Sequence, residues 1–204
     1  MDGETIRRGE PGELDSLTDT LWLAFAEDPL WRWAFPDHRK LRPLWHLSVA
    51  SALKHRWVWT IGDFAAVTVW IPPGESELTP AEEASLPGLM RELAGDRAPE
   101  LMGLFDAFEA SHPDGPPHYY LSLIGTHPER RGRGLGMRLM AANLELIDSE
   151  GAPAYLESSN TANEPRYESV GFRRTGAFTT PDGTHEVATM WREGATRRGE
   201  GVNA

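Results

Sequence analysis

The sequence predicts one domain of mixed α/β class, and three observations carry that prediction. Short β-rich runs alternate along the chain with segments whose apolar residues recur at helical spacing. At 204 residues the chain can bury one substantial core, with at most one appended element. A glycine- and arginine-rich turn, "PERRGRGLG", leads straight from a strand into a helix.

Taken in order, "ETIRR" is a short strand, and after Pro11-Gly12 the residues Leu14, Leu17, Leu21 and Phe25 recur as in a helix. "EDPLWRWAFPDHRK" is interrupted by Pro29 and Pro36 and reads as a loop or broken helix carrying Trp31, Trp33 and Phe35. A second helix is expected from about Leu41 to His55, with Pro43 tolerated in its first turn. Trp57 to Ile61 and Phe64 to Ile71 are two β-rich runs divided by Gly62-Asp63, a tight-hairpin signal. Thr79, Pro80 and Glu82 match an N-cap, a first-turn proline and a capping-box acid. Residues 76–117 are therefore expected to form a helical insertion, broken near Gly95 to Pro99. The strand in "HYYLSLIGTHP" feeds the arginine-glycine turn and then a helix with the stripe Leu135, Leu139, Ala142 and Leu146, ending at Gly151. "PAYLESS" is another strand and "NTANEPRYESV" a short helix. "GFRRTGAF" and "HEVATMW" are two strands joined through Pro181-Asp182-Gly183. The domain is expected to span residues 1–192, and the polar tail 193–204 to be disordered.

The formal net charge of −11 argues against a nucleic-acid partner, because no basic tract exists outside the arginine-glycine turn. A small cationic partner suits that balance better. The absence of cysteine excludes disulfides, thiolate metal sites and a cysteine nucleophile. The opening residues lack the apolar core of a signal peptide, and no run of about eighteen apolar residues offers a membrane span. The expected setting is the cytoplasm, with no membrane partner, as a monomer or homodimer.

The arginine-glycine turn holds Arg130, Arg131, Arg133 and Arg138 beside Gly132, Gly134 and Gly136. A helix that starts directly after a strand presents unpaired N–H groups and the positive end of its dipole, and glycines let an anion approach them. A phosphate site is expected there. No lysine follows these glycines as a P-loop requires. Their G-x-G-x-G spacing also departs from the G-x-G-x-x-G of dinucleotide folds, although Glu157, about twenty residues on, leaves NAD as an alternative.

The pattern [Q/R]-x-x-G-x-[G/A] is met by Arg131, Gly134 and Gly136, and here the sequence resembles the GNAT family of N-acetyltransferases. A second segment, "LESSNTANEPRYESVGF", is similar to another signature of that family, with Asn160, Asn163 and Tyr167 ahead of Gly171-Phe172. Within the family the similarity leans to its puromycin-acetylating branch, through "AVTVWIPP", "HYYLSLIGTHPERRGRGLG" and "PAYLESSNTANEPRYESVGF". The resemblance implies a twisted, mostly antiparallel sheet of about six to seven strands flanked by helices and splayed at the cofactor strand. It implies acetyl-CoA as cofactor, with Ile124, Gly125 and Thr126 beside its pantetheine arm. Arg131, Gly132, Arg133, Gly134, Leu135, Gly136 and Met137 would surround its phosphates, with Asn160 and Asn163 nearby.

Acetyl transfer to an amine needs a neutral nitrogen, stabilisation of developing oxyanion charge, and a proton for the departing thiolate. The resemblance assigns the oxyanion donor to backbone at Ile124 or Gly125 and the general acid to Tyr167. Glu157, on the next strand, and His118, with a pKa naturally near working pH, are the candidate bases. Glu27, Asp28 and Asp37 are weaker base candidates that would attract a cationic acceptor. Trp31, Trp33 and Phe35 are candidates for the acceptor pocket by stacking or cation–π contact. The expected activity is acetylation of a primary amine on a small molecule, possible acceptors including an aminonucleoside-like antibiotic. A protein N-terminal or lysine acetyltransferase and a non-catalytic acyl-CoA-binding module remain the alternatives.

Overall fold

The computed structural model describes residues 4–195, so most of the expected polar tail lies outside the described residues. Seven strands form one sheet in the order β1-β2-β3-β4-β5-β7-β6. These are β1 (Ile6–Arg8), β2 (Val58–Ile61), β3 (Ala66–Ile71), β4 (Tyr119–Thr126), β5 (Ala154–Ser158), β6 (Arg173–Thr179) and β7 (Glu186–Arg192). Every neighbouring pair is antiparallel except β4 and β5. A parallel pair needs a long crossover, which α6 (Leu135–Glu150) supplies.

One face of the sheet is covered by α1 (Leu14–Ala24), α2 (Pro29–Ala34), α3 (Leu41–Ala52), α4 (Pro80–Ala94) and α5 (Ala98–Ser111). Leu17, Leu21, Leu30, Val49, Met90 and Leu104 from these helices pack on Val67, Val69 and Leu123. α6 covers the other face, where Met140, Leu144 and Ile147 meet Leu121, Leu156 and Met190. The short helix α7 (Glu164–Glu168) adds Tyr167 to this second core. Thr79 and Glu82 form the expected capping box of α4, and the insertion breaks into two helices at Gly95–Arg97.

Two irregularities open the sheet where the site lies. β4 and β5 pair only at Tyr119↔Ala154, Tyr120↔Tyr155 and Leu121↔Leu156. β5 then follows β7, while β4 stays on β3 as far as Thr126, so β4 from Ser122 onward has no ladder partner on that side. Opposite Val69 and Trp70, β4 carries one extra residue, Ser122, in a bulge. Bulges bend a strand and re-aim a side chain, and this one turns Ser122 to Glu77.

Three local expectations need correction. Phe64 does not begin β3: it sits in a four-residue turn at φ 48°, with its carbonyl accepting from Thr20 Oγ1 at 2.8 Å and its ring under Arg7. Gly62-Asp63 is thus only half of the connection. Residues 29–34 form a true helix, because Asp28 caps it by accepting from Trp31 N at 3.1 Å and Pro29 occupies its first turn. On α6, Leu146 is exposed; the buried rows are Leu135, Leu139, Asn143, Ile147 and, beside them, Met140 and Leu144. Polar Asn143 disguised the face. It is buried because its Oδ1 accepts from Thr68 Oγ1 at 2.7 Å and Trp70 Nε1 at 3.1 Å.

Candidate active site

Two cavities meet at the splayed edge of β4. The larger, about 600 Å³, is a groove between the end of β4, the arginine-glycine turn and the 160–167 segment. Ile124, Gly125, Thr126, Arg131, Gly132, Gly134, Leu135, Gly136, Met137, Asn160 and Asn163 all line it. Gly132 and Gly134 adopt φ of 75° and 70°, which glycine takes without a Cβ penalty, and nothing stands where a Cβ would project. Gly134 is the cap residue of α6 and offers no side chain to the first N–H groups of the helix, which stay available to an anion. Gly125 has a different reason: a Cβ there would lie 2.7 Å from the Ala24 Cβ, so only glycine lets α1 close on β4.

Arg131 donates from Nη2 to the Ala24 carbonyl at 2.7 Å, which ties the turn to the end of α1 while its guanidinium borders the groove. Arg166 is the second cation on the groove, donating to Asn163 Oδ1 at 2.9 Å. Arg133 is placed otherwise; its guanidinium pairs with Glu4 at 3.1 Å and does not border the groove. The diphosphate of coenzyme A fits these donors, which combine helix N–H groups with two arginines.

The smaller cavity, about 150 Å³, is walled by aromatic rings, including Phe25, Trp31, Trp45, Phe105, Phe108 and Tyr120. Three carboxylates reach it, from Asp28, Glu77 and Glu157. Asp28 is buried; Ser159 Oγ donates to its Oδ2 at 2.8 Å. Burial nevertheless raises its pKa, against the opposing effect of the Ser159 and Trp31 hydrogen bonds. Burial likewise raises Glu77, which accepts from Ser122 Oγ. Glu157 is pushed up to about 7 by burial, which outweighs the Tyr120 and Tyr155 hydroxyls that act to lower it.

Five residues line both cavities: Phe25, Asp28, Ile124, Asn163 and Tyr167. Tyr167 is 9% exposed, and its hydroxyl has no hydrogen-bond partner among the described residues. A buried phenol ordinarily finds one. Its pKa is raised to about 12, first by burial and then by the negative charge of Asp28, so it holds its proton at neutral pH.

Other expected site residues lie apart. His118 stands before the start of β4, at the opposite end from Thr126, with Nδ1 2.9 Å from the Pro116 carbonyl and Nε2 3.0 Å from His112 Nε2. It reaches neither cavity. Of the three aromatic residues on α2 and its end, only Trp31 lines the smaller cavity. Trp33, two positions on and therefore on the other side of a helix, donates to Asp182 Oδ2 at 2.8 Å, and Phe35 is 2% exposed in the core. Asp37 is half-buried and bonded to Arg39. Glu27 borders the groove but pairs with Arg32 at 2.8 Å.

The acetyltransferase (GNAT) family profile matches residues 68–172, from β3 through the end of the α7 segment. The chain belongs to that family. An uncharacterised N-acetyltransferase of Schizosaccharomyces pombe is 29% identical over 120 residues, covering 55% of this chain and 49% of its own. The match thus spans about half of that relative's length. Among solved structures, a histone acetyltransferase and related acetyltransferase from Corynebacterium glutamicum aligns over 97% of this chain and 99% of its own, at TM-score 0.69 and 21% identity. An arylalkylamine N-acetyltransferase from Aedes aegypti aligns over 93% and 98%, at TM-score 0.66 and 16% identity. Those two likenesses establish the shared fold.

Proposed function

We propose that this protein transfers an acetyl group from acetyl-CoA to the primary amine of a small molecule, both substrates being bound at once. The observation that carries this reading is the polarity of the two joined cavities. Arg131, Arg166 and the start of α6 make the groove attractive to phosphate, while Asp28, Glu77 and Glu157 make the smaller cavity attractive to an ammonium. Acetyl-CoA supplies the activated acetyl thioester when bound. The chain does the rest. Glu157, poised near 7, takes the ammonium proton directly or through water. On the side of β4 that lacks a ladder partner, the backbone N–H of Ile124 or Gly125 would face developing negative charge. As nitrogen bonds to the acetyl carbon and the carbon–sulfur bond breaks, Tyr167, at the junction, donates its hydroxyl proton to the leaving sulfur and is reprotonated by the second proton of that nitrogen, directly or through water. An ammonium beside Asp28 offsets the charge that keeps this phenol weakly acidic, so acceptor binding itself prepares the acid.

The aromatic walls suit an amine with an apolar or aromatic body, as the name of the mosquito relative suggests for that enzyme. The sequence similarity to puromycin-acetylating proteins makes an aminonucleoside a further acceptor to assay, although 150 Å³ encloses far less than such a molecule. Closure of that cavity by Glu77 and Leu78 before α4, and by Leu86, Phe105 and Phe108 of α4 and α5, disfavours a peptide acceptor. The test is Tyr167→Phe. We expect acetyl-CoA affinity by calorimetry to stay within about twofold and thiol release to fall by about a hundredfold. An unchanged rate would remove Tyr167 from the chemistry. A wild-type protein that binds acetyl-CoA and acetylates no amine would favour a non-catalytic acyl-CoA-binding module.

A further inference from the structure

The smaller cavity holds more carboxylates than one amine can use. Asp28 lies at the boundary with the groove and Glu157 is assigned the ammonium proton, which leaves Glu77 without a role. Among the described residues, no lysine, arginine or histidine lies within salt-bridge distance of any of the three. A buried carboxylate either takes up a proton or pairs with a cation, and a ligand carrying positive charge would hold these three in their ionised form. That charge is not a metal ion, because among the described residues no three such side chains converge on a point that one would occupy. Separated charges on an organic molecule match the arrangement.

The carboxylate of Glu77 is held in place, because the β4 bulge presents Ser122 as its donor. Ser122 stands two residues from Ile124, the β4 residue shared by both cavities, or about 6–7 Å along a strand. A short alkyl chain spans that distance.

We infer that the cavity takes acceptors bearing two positive charges on a short apolar spacer, and that Glu77 is the specificity residue that reads the charge farther from the groove. The inference rests on the amine-acetylating function proposed above. It goes beyond it by fixing the acceptor class and naming a residue from the insertion that selects it.

The test compares putrescine with pentylamine, which has a methyl group in place of the second amine. For the wild-type protein, kcat/KM for putrescine should exceed that for pentylamine by at least about tenfold, the advantage of one buried charge-assisted contact. Glu77→Gln should bring the ratio to near one, through a raised KM for putrescine, and Glu77→Asp should restore part of it. Removing a buried unpaired charge favours folding, and a retained thermal melt checks that the variant is intact. Calorimetric titration of both amines into the protein saturated with coenzyme A reads the same ratio without turnover. If no amine is acetylated, the acetyl-transfer function falls and the binding ratio still decides the inference. A wild-type ratio below about two, or one unchanged in Glu77→Gln, overturns it.

Discussion

Glu157 shows how one buried residue couples chemistry to stability. Its pKa stands at about 7 in the folded chain against 4.5 for the free side chain, and burial is the main cause. As a base it must be ionised, so acetyl transfer should rise through about pH 7 and level off above it, and Glu157→Gln should abolish that inflection while lowering the rate. The rate–pH profile of both proteins, measured with the same amine, decides this; an inflection surviving in the variant would belong to another group. For stability the sign is opposite. A raised carboxyl pKa gives a contribution that is fully present below about 4.5 and lost as pH rises through about 7. Glu157→Gln should therefore be more stable than the wild type above pH 7, by up to about 3 kcal/mol. Tyr120 and Tyr155 face the same carboxyl and act to lower its pKa by hydrogen bonding, while the charge of Glu77 acts to raise it. The residue does its work, on this account, in an ionisation state that costs the fold.

Among the elements, the contact of α1 with β4 sets the width of the larger groove, the proposed cofactor site. Gly125 makes that contact possible, since an added Cβ would meet the Ala24 Cβ at 2.7 Å and Leu21 Cδ2 at 3.2 Å. Gly125→Ala should push α1 outward, drag the Arg131 anchor on Ala24 with it, and cost about 1–3 kcal/mol by overpacking. In a chain of this length that is a fall in Tm of a few to about ten degrees, with weaker acetyl-CoA binding beyond what the stability loss explains. A variant with wild-type Tm and affinity would show the approach to be unimportant. The role of Gly125 could be placed by resemblance from "LSLIGTHPERRGRGLG", but its steric reason lay in an α1 contact a hundred residues away in sequence. The same division holds elsewhere. The groove was legible because strand, glycine turn and helix start are consecutive, so local spacing encodes it. The acceptor cavity was not, because Glu77, Ser122, Trp45, Phe105, Phe108 and Tyr120 come from separate elements and none sits in a pattern of its own. Asp28 was visible only as an acid near a proline, and its capping of α2 is what carries it to the boundary of both cavities. Trp33 was misplaced because a stretch read as a loop or broken helix is a helix, which turns it away from the side of Trp31, while Phe35 closes that helix buried in the core.

At the scale of the whole molecule, a net charge of −11 surrounds a site that, on the function proposed above, admits one anionic and one cationic substrate. On the proposed reading, Arg131 and Arg166 answer the first need locally, at the groove itself, whereas the acceptor benefits from the field of the entire surface. Carboxylates inside a low-dielectric cleft focus that field on the cavity mouth. Such long-range attraction is governed by the screening length, about 30 Å at 0.01 M salt and less than 10 Å at 0.3 M. Raising potassium chloride between these limits should lower kcat/KM for a cationic amine severalfold, while kcat at saturating amine changes little, because the buried carboxylates that hold the bound ammonium are screened much less. A diamine should show the steeper dependence, since each of its charges is drawn by the same potential. Initial rates across a salt series, at saturating acetyl-CoA, separate the two parameters. A kcat/KM that is flat or rises with salt would mean that the acidic surface serves solubility alone and that acceptor capture depends only on contacts inside the cavity.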